Sequence, residues 1–288
     1  MIVALGSGKG GTGKTTVSCA LAESLKDDPL AGPVLLADCD VEEPNAHLFL
    51  RPVITDRRPV NMLIPAFDEN HCDYCGECAR FCRFNALAVS PGVAMVFPEL
   101  CHSCGGCFLV CPVPGALKKL SREIGVIEKG HSGSLGFTRG LLRVGETLAT
   151  PLVGELRKTL PDSGTVILDA PPGTSCSFVE TVQGSDFCLL VTEPTPFGIH
   201  DLERAIEVTE LLNVPRGVLI NRSGNEDGEL EKVLARRGVE ILMRISHDRA
   251  VAEAATEGRT LLDVHPDLVP RFQSLYRTIS QRVMEAKP

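Results

Sequence analysis

Eight residues near the N-terminus, Gly8-Lys9-Gly10-Gly11-Thr12-Gly13-Lys14-Thr15, fit the pattern G-x-x-x-x-G-K-[ST] and limit the fold more than any other stretch of the chain. The apolar run Ile2-Val3-Ala4-Leu5 before them predicts a buried strand, and Val17-Ser18-Cys19-Ala20-Leu21-Ala22 after them begins a helical pattern. The glycines therefore fall in a strand-to-helix turn, where backbone N–H groups can point inward at phosphate oxygens. In such a turn Lys14 reaches the β- and γ-phosphates and the Thr15 hydroxyl binds Mg²⁺. Gly8 to Gly13 and Thr16 then surround the phosphates of a bound nucleotide. A chance glycine-rich turn is the alternative, and the flanking strand and helix argue against it.

Two further apolar runs end in carboxylates. Pro33-Val34-Leu35-Leu36-Ala37 leads to Asp38-Cys39-Asp40, and Thr165-Val166-Ile167-Leu168 leads to Asp169-Ala170-Pro171-Pro172-Gly173-Thr174. In an open α/β sheet the C-terminal ends of parallel strands face the ligand crevice, which would place these carboxylates beside the phosphates. A strand-end aspartate that merely caps the following helix is the competing reading for Asp38 and Asp40. Further strands are expected at 187–191, 218–220 and 239–245, with a helix over 201–212. The fold class is therefore α/β, with a mostly parallel sheet.

Twelve cysteines are present, and eight of them lie between Cys72 and Cys111. Cys72, Cys75, Cys78 and Cys82 recur as Cys101, Cys104, Cys107 and Cys111, each displaced by the same 29 residues, so the segment is an internal duplication. No apolar run approaches a membrane span of roughly eighteen residues, and Ile2 to Leu5 is too short for a signal peptide. A cytoplasmic chain is expected, and among reducing thiols clustered cysteines read as metal ligands rather than disulfides. Two zinc sites are one possibility, although zinc favours cysteines in separated pairs. The formal net charge of −8 and pI near 5.4 give no general attraction to nucleic acid.

The string from Lys9 to Thr16 resembles the deviant Walker A loop of the MinD, ParA, Mrp and nitrogenase iron-protein group of P-loop ATPases. The resemblance implies a nucleotide-dependent homodimer in which Lys9 reaches across to the partner's ATP. Asp38-Cys39-Asp40-Val41-Glu42-Glu43-Pro44-Asn45 is similar to that group's switch I, which makes Asp38 the residue that orients the attacking water and Asp40 its support. Asp-x-Pro-Pro-Gly-Thr from Asp169 resembles switch II of the Mrp branch, with Asp169 in the Mg²⁺ shell and the Gly173 N–H sensing the γ-phosphate. Asn221-Arg222 resembles the adenine-side pair of the group, implying a base contact for Asn221; a plain turn asparagine is the alternative. Each cysteine half, C-x2-C-x2-C-x3-C, is similar to the bacterial ferredoxin run for two 4Fe-4S clusters. Cys111-Pro112 keeps the ferredoxin ending, whereas Cys82 is followed by Arg83. The crossed ligation of those ferredoxins assigns Cys72, Cys75, Cys78 and Cys111 to one cluster, and Cys101, Cys104, Cys107 and Cys82 to the other.

Taken together, the resemblance implies a discontinuous ATPase domain, 1–64 and 119–288, with an inserted α+β ferredoxin domain over 65–118. The function it implies is a Mg²⁺-dependent ATPase, slow without its redox or iron–sulfur protein partner, that couples a nucleotide-switched dimer to electron transfer. An Mrp-type cluster carrier and a MinD- or ParA-like positioning ATPase are the alternatives. The carriers' later C-x-x-C pair has no counterpart here, since only Cys176 and Cys188 follow Cys111. Cys176 lies seven residues after Asp169, the spacing of a cluster-ligating cysteine in the nitrogenase iron protein, but it also suits a small packed residue. The C-terminal segment from Leu268 to Val283 has helical apolar spacing, as expected of a helix on the sheet rather than one on a membrane.

Overall fold

A computed structural model describes residues 1–224 and 227–286. The chain divides into two compact units, one of Met1–Arg57, Ile127–Leu141 and Val153–Pro288, the other of Arg58–Val126 and Leu142–Leu152. In chain order come β1 (Ile2–Gly6), α1 (Lys14–Leu25), β2 (Val34–Asp38), α2 (Ala46–Leu50), β3 (Val53–Phe67), α3 (Glu77–Phe81), β4 (Leu87–Ser90), β5 (Val93–Val96) and α4 (Gly106–Val110). Then follow β6 (Leu117–Ser132), β7 (Leu135–Leu142), α5 (Ala149–Arg157), β8 (Thr165–Asp169), α6 (Cys176–Val182), β9 (Phe187–Thr192) and α7 (Pro196–Leu211). The chain closes with β10 (Arg216–Ser223), α8 (Gly228–Arg237), β11 (Ile241–Ser246), α9 (Arg249–Thr256), α10 (Leu261–Val264) and α11 (Val269–Ala286).

The strand order is β11-β10-β9-β1-β8-β2-β7-β6-β3, and the strands from β11 to β7 pair in parallel. A parallel sheet carries helices on both faces, so its strands must be apolar on both. Every residue of β8 and β9 is buried accordingly. β1 lies between β8 and β9, which brings the loop after Gly6 out at the middle of the sheet. Register sets Asp169 beside both Leu5 and Asp38, so two strand-end carboxylates share one level.

α1 is buried along most of its length and belongs to the same apolar core as α11. In α11 the residues Phe272, Leu275, Tyr276, Ile279 and Val283 recur at three- and four-residue intervals and form the buried face. The Tyr276 hydroxyl also bonds Thr165 Oγ1 at 2.6 Å inside that core. The amphipathic C-terminal segment is thus a packed helix. Among the described residues no helix is long and apolar enough to cross a membrane.

The second unit is wider than the 65–118 expected from the cysteine spacing. Strands β3 and β6 carry order past both of those edges. Residues 142–152 also join it: Arg122 pairs with Glu146 at 2.6 Å, and the Thr147 hydroxyl donates to the Glu99 carbonyl at 3.4 Å. Its core is small and built partly of cysteine, with Cys101 packed on Ile64 and Ala86, and Cys78 and Cys107 packed with Leu87.

Truncating α11 in its packed face should therefore destabilise the first unit. Ile279 is fully buried, so Ile279→Ala should cost about 2–5 kcal/mol in urea unfolding. Met284, 68 % exposed on the same helix, should change by less than about 0.5 kcal/mol when replaced by Ala.

Candidate nucleotide and cysteine sites

Between β1 and α1 the loop faces a cavity lined by every residue from Lys9 to Thr16, together with Asp40, Asn45, Pro172 and Arg222. Thr12 Oγ1 is buried there without a hydrogen-bond partner among the described residues, a polar atom suited to a ligand oxygen. Asp169 ties the loop to β8. Its Oδ1 takes the Lys14 ammonium at 2.6 Å and the Ser18 hydroxyl at 2.8 Å, and its Oδ2 takes the Thr15 hydroxyl at 2.7 Å. Burial alone would lower the Lys14 pKa, but the charges of Asp169, Asp38 and Asp40 outweigh it and hold the ammonium protonated. Ser18 was not picked out from sequence. It lies one helical turn beyond Lys14, which places both side chains on the same face of α1.

The two carboxylates after β2 take different positions. Asp38 is fully buried; its Oδ2 accepts from the N–H of Ala46, the first residue of α2, at 3.0 Å, and its Oδ1 from the Asp40 N–H at 3.2 Å. Asp38 does not line the cavity; Asp40 does. Asp38 thus holds the first N–H of α2, while Asp40 is the one of the two that reaches the cavity. Burial, reinforced by Asp169, pushes the Asp38 carboxyl up to about 8. Burial also raises Asp40, to about 6, with Lys14 opposing and Asp169 reinforcing the rise.

Lys9 lines the cavity and is paired within its own chain, its ammonium 2.5 Å from Glu193 Oε1. The other Glu193 oxygen binds Arg222 at 2.6 Å. Glu193 was also missed from sequence, although it directly follows the buried strand β9, the same signal that singled out Asp38 and Asp169. Asn221 donates from Nδ2 to the Thr12 carbonyl at 2.8 Å, so its amide braces the loop. With Arg222 it lines a second cavity, walled also by Val17, Ile245, Val251 and Leu261. The two cavities share Gly13, Thr16 and Arg222, giving one site with a polar phosphate end and a more apolar end suited to a base.

Gly8 does not line the cavity; a Cβ there would lie 2.0 Å from the Asp201 carbonyl oxygen of α7. At Gly10 the nearest atom to a built Cβ is 4.0 Å away, on Pro172. The Gly173 N–H donates to the Ser7 carbonyl at 3.0 Å, which links switch II to the loop. Cys176 is the first residue of α6 and is exposed, not packed.

In the second unit Cys82, Cys101, Cys104 and Cys107 line one cavity, together with Leu63 and Phe81. Burial raises the Cys107 thiol to about 11, and the neighbouring Cys101 and Cys104 reinforce the rise. Burial also raises Cys78, reinforced by Cys111, Cys72 and Cys75, and Cys78 in turn reinforces the rise at Cys107. The backbone repeats the duplication. Tyr74 and Gly76 have φ of 58° and 76°, and their counterparts Ser103 and Gly105 have 55° and 74°. Left-handed residues at such turns direct successive N–H groups into a concavity that suits an anionic centre. Among the described residues no three His, Cys, Asp or Glu side chains converge tightly enough for a single metal ion.

Residues 3–261 match the CobQ/CobB/MinD/ParA nucleotide binding domain, CbiA. An uncharacterized protein of Methanocaldococcus jannaschii is 31% identical over 278 residues, covering 91% of each chain. An uncharacterized ATP-binding protein of the same organism is 27% identical over 267 residues, covering 91% of this chain and 81% of its own length. The septum site-determining protein MinD of Pyrococcus horikoshii, solved with Mg-ADP, shares the fold: TM-score 0.60 and 18% identity, over 100% of this chain and 99% of that one. Strand-loop-helix geometry and family match agree, and the chain belongs to the CobQ/CobB/MinD/ParA family of P-loop nucleotide-binding ATPases.

Proposed function

We propose that this ATPase is an iron–sulfur protein, in which a nucleotide-switched homodimer of the first unit governs electron transfer through two 4Fe-4S clusters held by the inserted cysteine segment, with a redox or iron–sulfur protein as partner. The reading rests chiefly on one observation. The cavity in the second unit is lined by Cys82, Cys101, Cys104 and Cys107, the crossed set and not either half of the repeat. The thiols that reinforce the rise at Cys78 are Cys111, Cys72 and Cys75, those of the complementary set. Bound clusters would supply one-electron transfer at potentials set by charge, hydrogen bonds and solvent access. The chain's own part is to present eight thiolates and to turn backbone N–H groups toward them at the repeated left-handed residues.

On the nucleotide side, Lys14 exchanges Asp169 for the β- and γ-phosphates, which leaves Asp169 and Thr15 to hold Mg²⁺. Asp40 faces the cavity and, once ionised, orients the attacking water. Lys9 serves the nucleotide of the second copy. The carrier alternative draws no support from the later cysteines, because Cys188 is fully buried in β9 while Cys176 is exposed on α6, and they form no pair.

Anaerobically purified protein should contain about eight iron and eight acid-labile sulfide per chain. Cys111→Ser and Cys82→Ser should each remove a ligand from a different set and leave about four iron. Stoichiometric zinc without labile sulfide would end the redox reading.

The ATPase should be acid-sensitive. If hydrolysis needs ionised Asp40, kcat/KM should fall as pH drops through about 6. Asp40→Asn should lower kcat by roughly 10²-fold or more and abolish that limb. Loss of the limb in Asp38→Asn, with the limb intact in Asp40→Asn, would return the role to Asp38.

A further inference from the structure

Glu193 has no place in the motifs, yet it controls two cations of the nucleotide site. Its carboxylate side chain is 8 % exposed and holds Lys9 on Oε1 and Arg222 on Oε2, at 2.5 and 2.6 Å. The Thr195 hydroxyl, which also caps α7, donates to Oε1 at 3.3 Å. The backbone of Glu193 is engaged as well, its carbonyl accepting the Thr195 N–H at 2.8 Å. Lys9 and Arg222 line the phosphate cavity and Glu193 does not. One buried carboxylate thus holds both cations without contributing to the cavity wall.

We infer that Glu193 is a positioning residue, a latch that keeps the Lys9 ammonium within its own subunit until phosphate oxygens of the second copy's nucleotide compete for it. The inference builds on the cross-dimer reading of Lys9 given above. An intrachain partner for Lys9 withholds it from a second copy, and a group that is competent only part of the time weakens apparent affinity by that fraction. Phosphate oxygens can shift the balance because they attract Lys9 away from Glu193. The γ-phosphate adds negative charge beyond that of a diphosphate, so the latch opens further with ATP than with ADP. Its output is a dimer that forms with triphosphate and not without it.

Sedimentation of the full-length protein with Mg-ATP or Mg-ADP tests the latch through a double-mutant cycle. Glu193→Gln keeps the shape of the side chain and removes its charge. It should dimerise with Mg-ATP at about three- to tenfold lower protein concentration than the parent and should begin to dimerise with Mg-ADP. Lys9→Ala should dimerise poorly, and Glu193→Gln added to it should restore nothing. Acetic anhydride labelling of Lys9, read by mass spectrometry without nucleotide, should be faster in Glu193→Gln than in the parent. A gain that survives in the Lys9→Ala background would mean that Glu193 acts elsewhere and overturns the latch, as would unchanged dimerisation and labelling in Glu193→Gln. Normal dimerisation of Lys9→Ala itself would instead overturn the cross-dimer reading beneath it.

Discussion

Asp169 is the interaction on which the first unit depends. A carboxylate buried at the end of a central strand is tolerable only if its charge is met, and here Lys14, Thr15 and Ser18 all donate to it within 2.8 Å. Its backbone is equally committed, as the Asp169 carbonyl accepts the Cys39 N–H at 2.9 Å and joins β8 to the chain after β2. Loop, helix α1 and the ends of two strands therefore share one anchor. The side chains that tie the loop to β8 are thus in place before any ligand arrives, and a nucleotide that takes Lys14 must displace it from Asp169.

The second unit rests on a different balance. Its apolar contacts are few, and cysteines occupy places that larger aliphatic side chains fill in the first unit. Left-handed backbone at Tyr74 and Ser103 is costly for residues with a Cβ, and it recurs at the same place in both copies of the repeat.

Much of this was legible in the sequence because it is local. The phosphate loop, the strand-end aspartates and the 29-residue displacement of the cysteines are patterns of spacing, and spacing is what a sequence displays. The different placement of Asp38 and Asp40 was not, since it depends on whether α2 starts close enough for Ala46 to reach back to Asp38. Glu193 escaped for another reason. Its partner Lys9 is 184 residues away, and only the adjacency of β9 to β1 brings the two together. The compact second unit runs beyond the expected 65–118 because β3 and β6 are long strands that the cysteine spacing does not mark.

The glycines of the phosphate loop also carry unequal information about ancestry. Gly8 is held free of a side chain by the Asp201 carbonyl, so packing against α7 would preserve it even in a lineage that had ceased to use ATP. Gly10 has a negative φ and open space where a Cβ would go, so nothing in the fold itself forbids a larger residue there. Its persistence across relatives would be a record of selection by something that occupies the cavity. Its drift to alanine or serine, with Gly8 unchanged, would mark a branch that kept the scaffold and gave up the nucleotide.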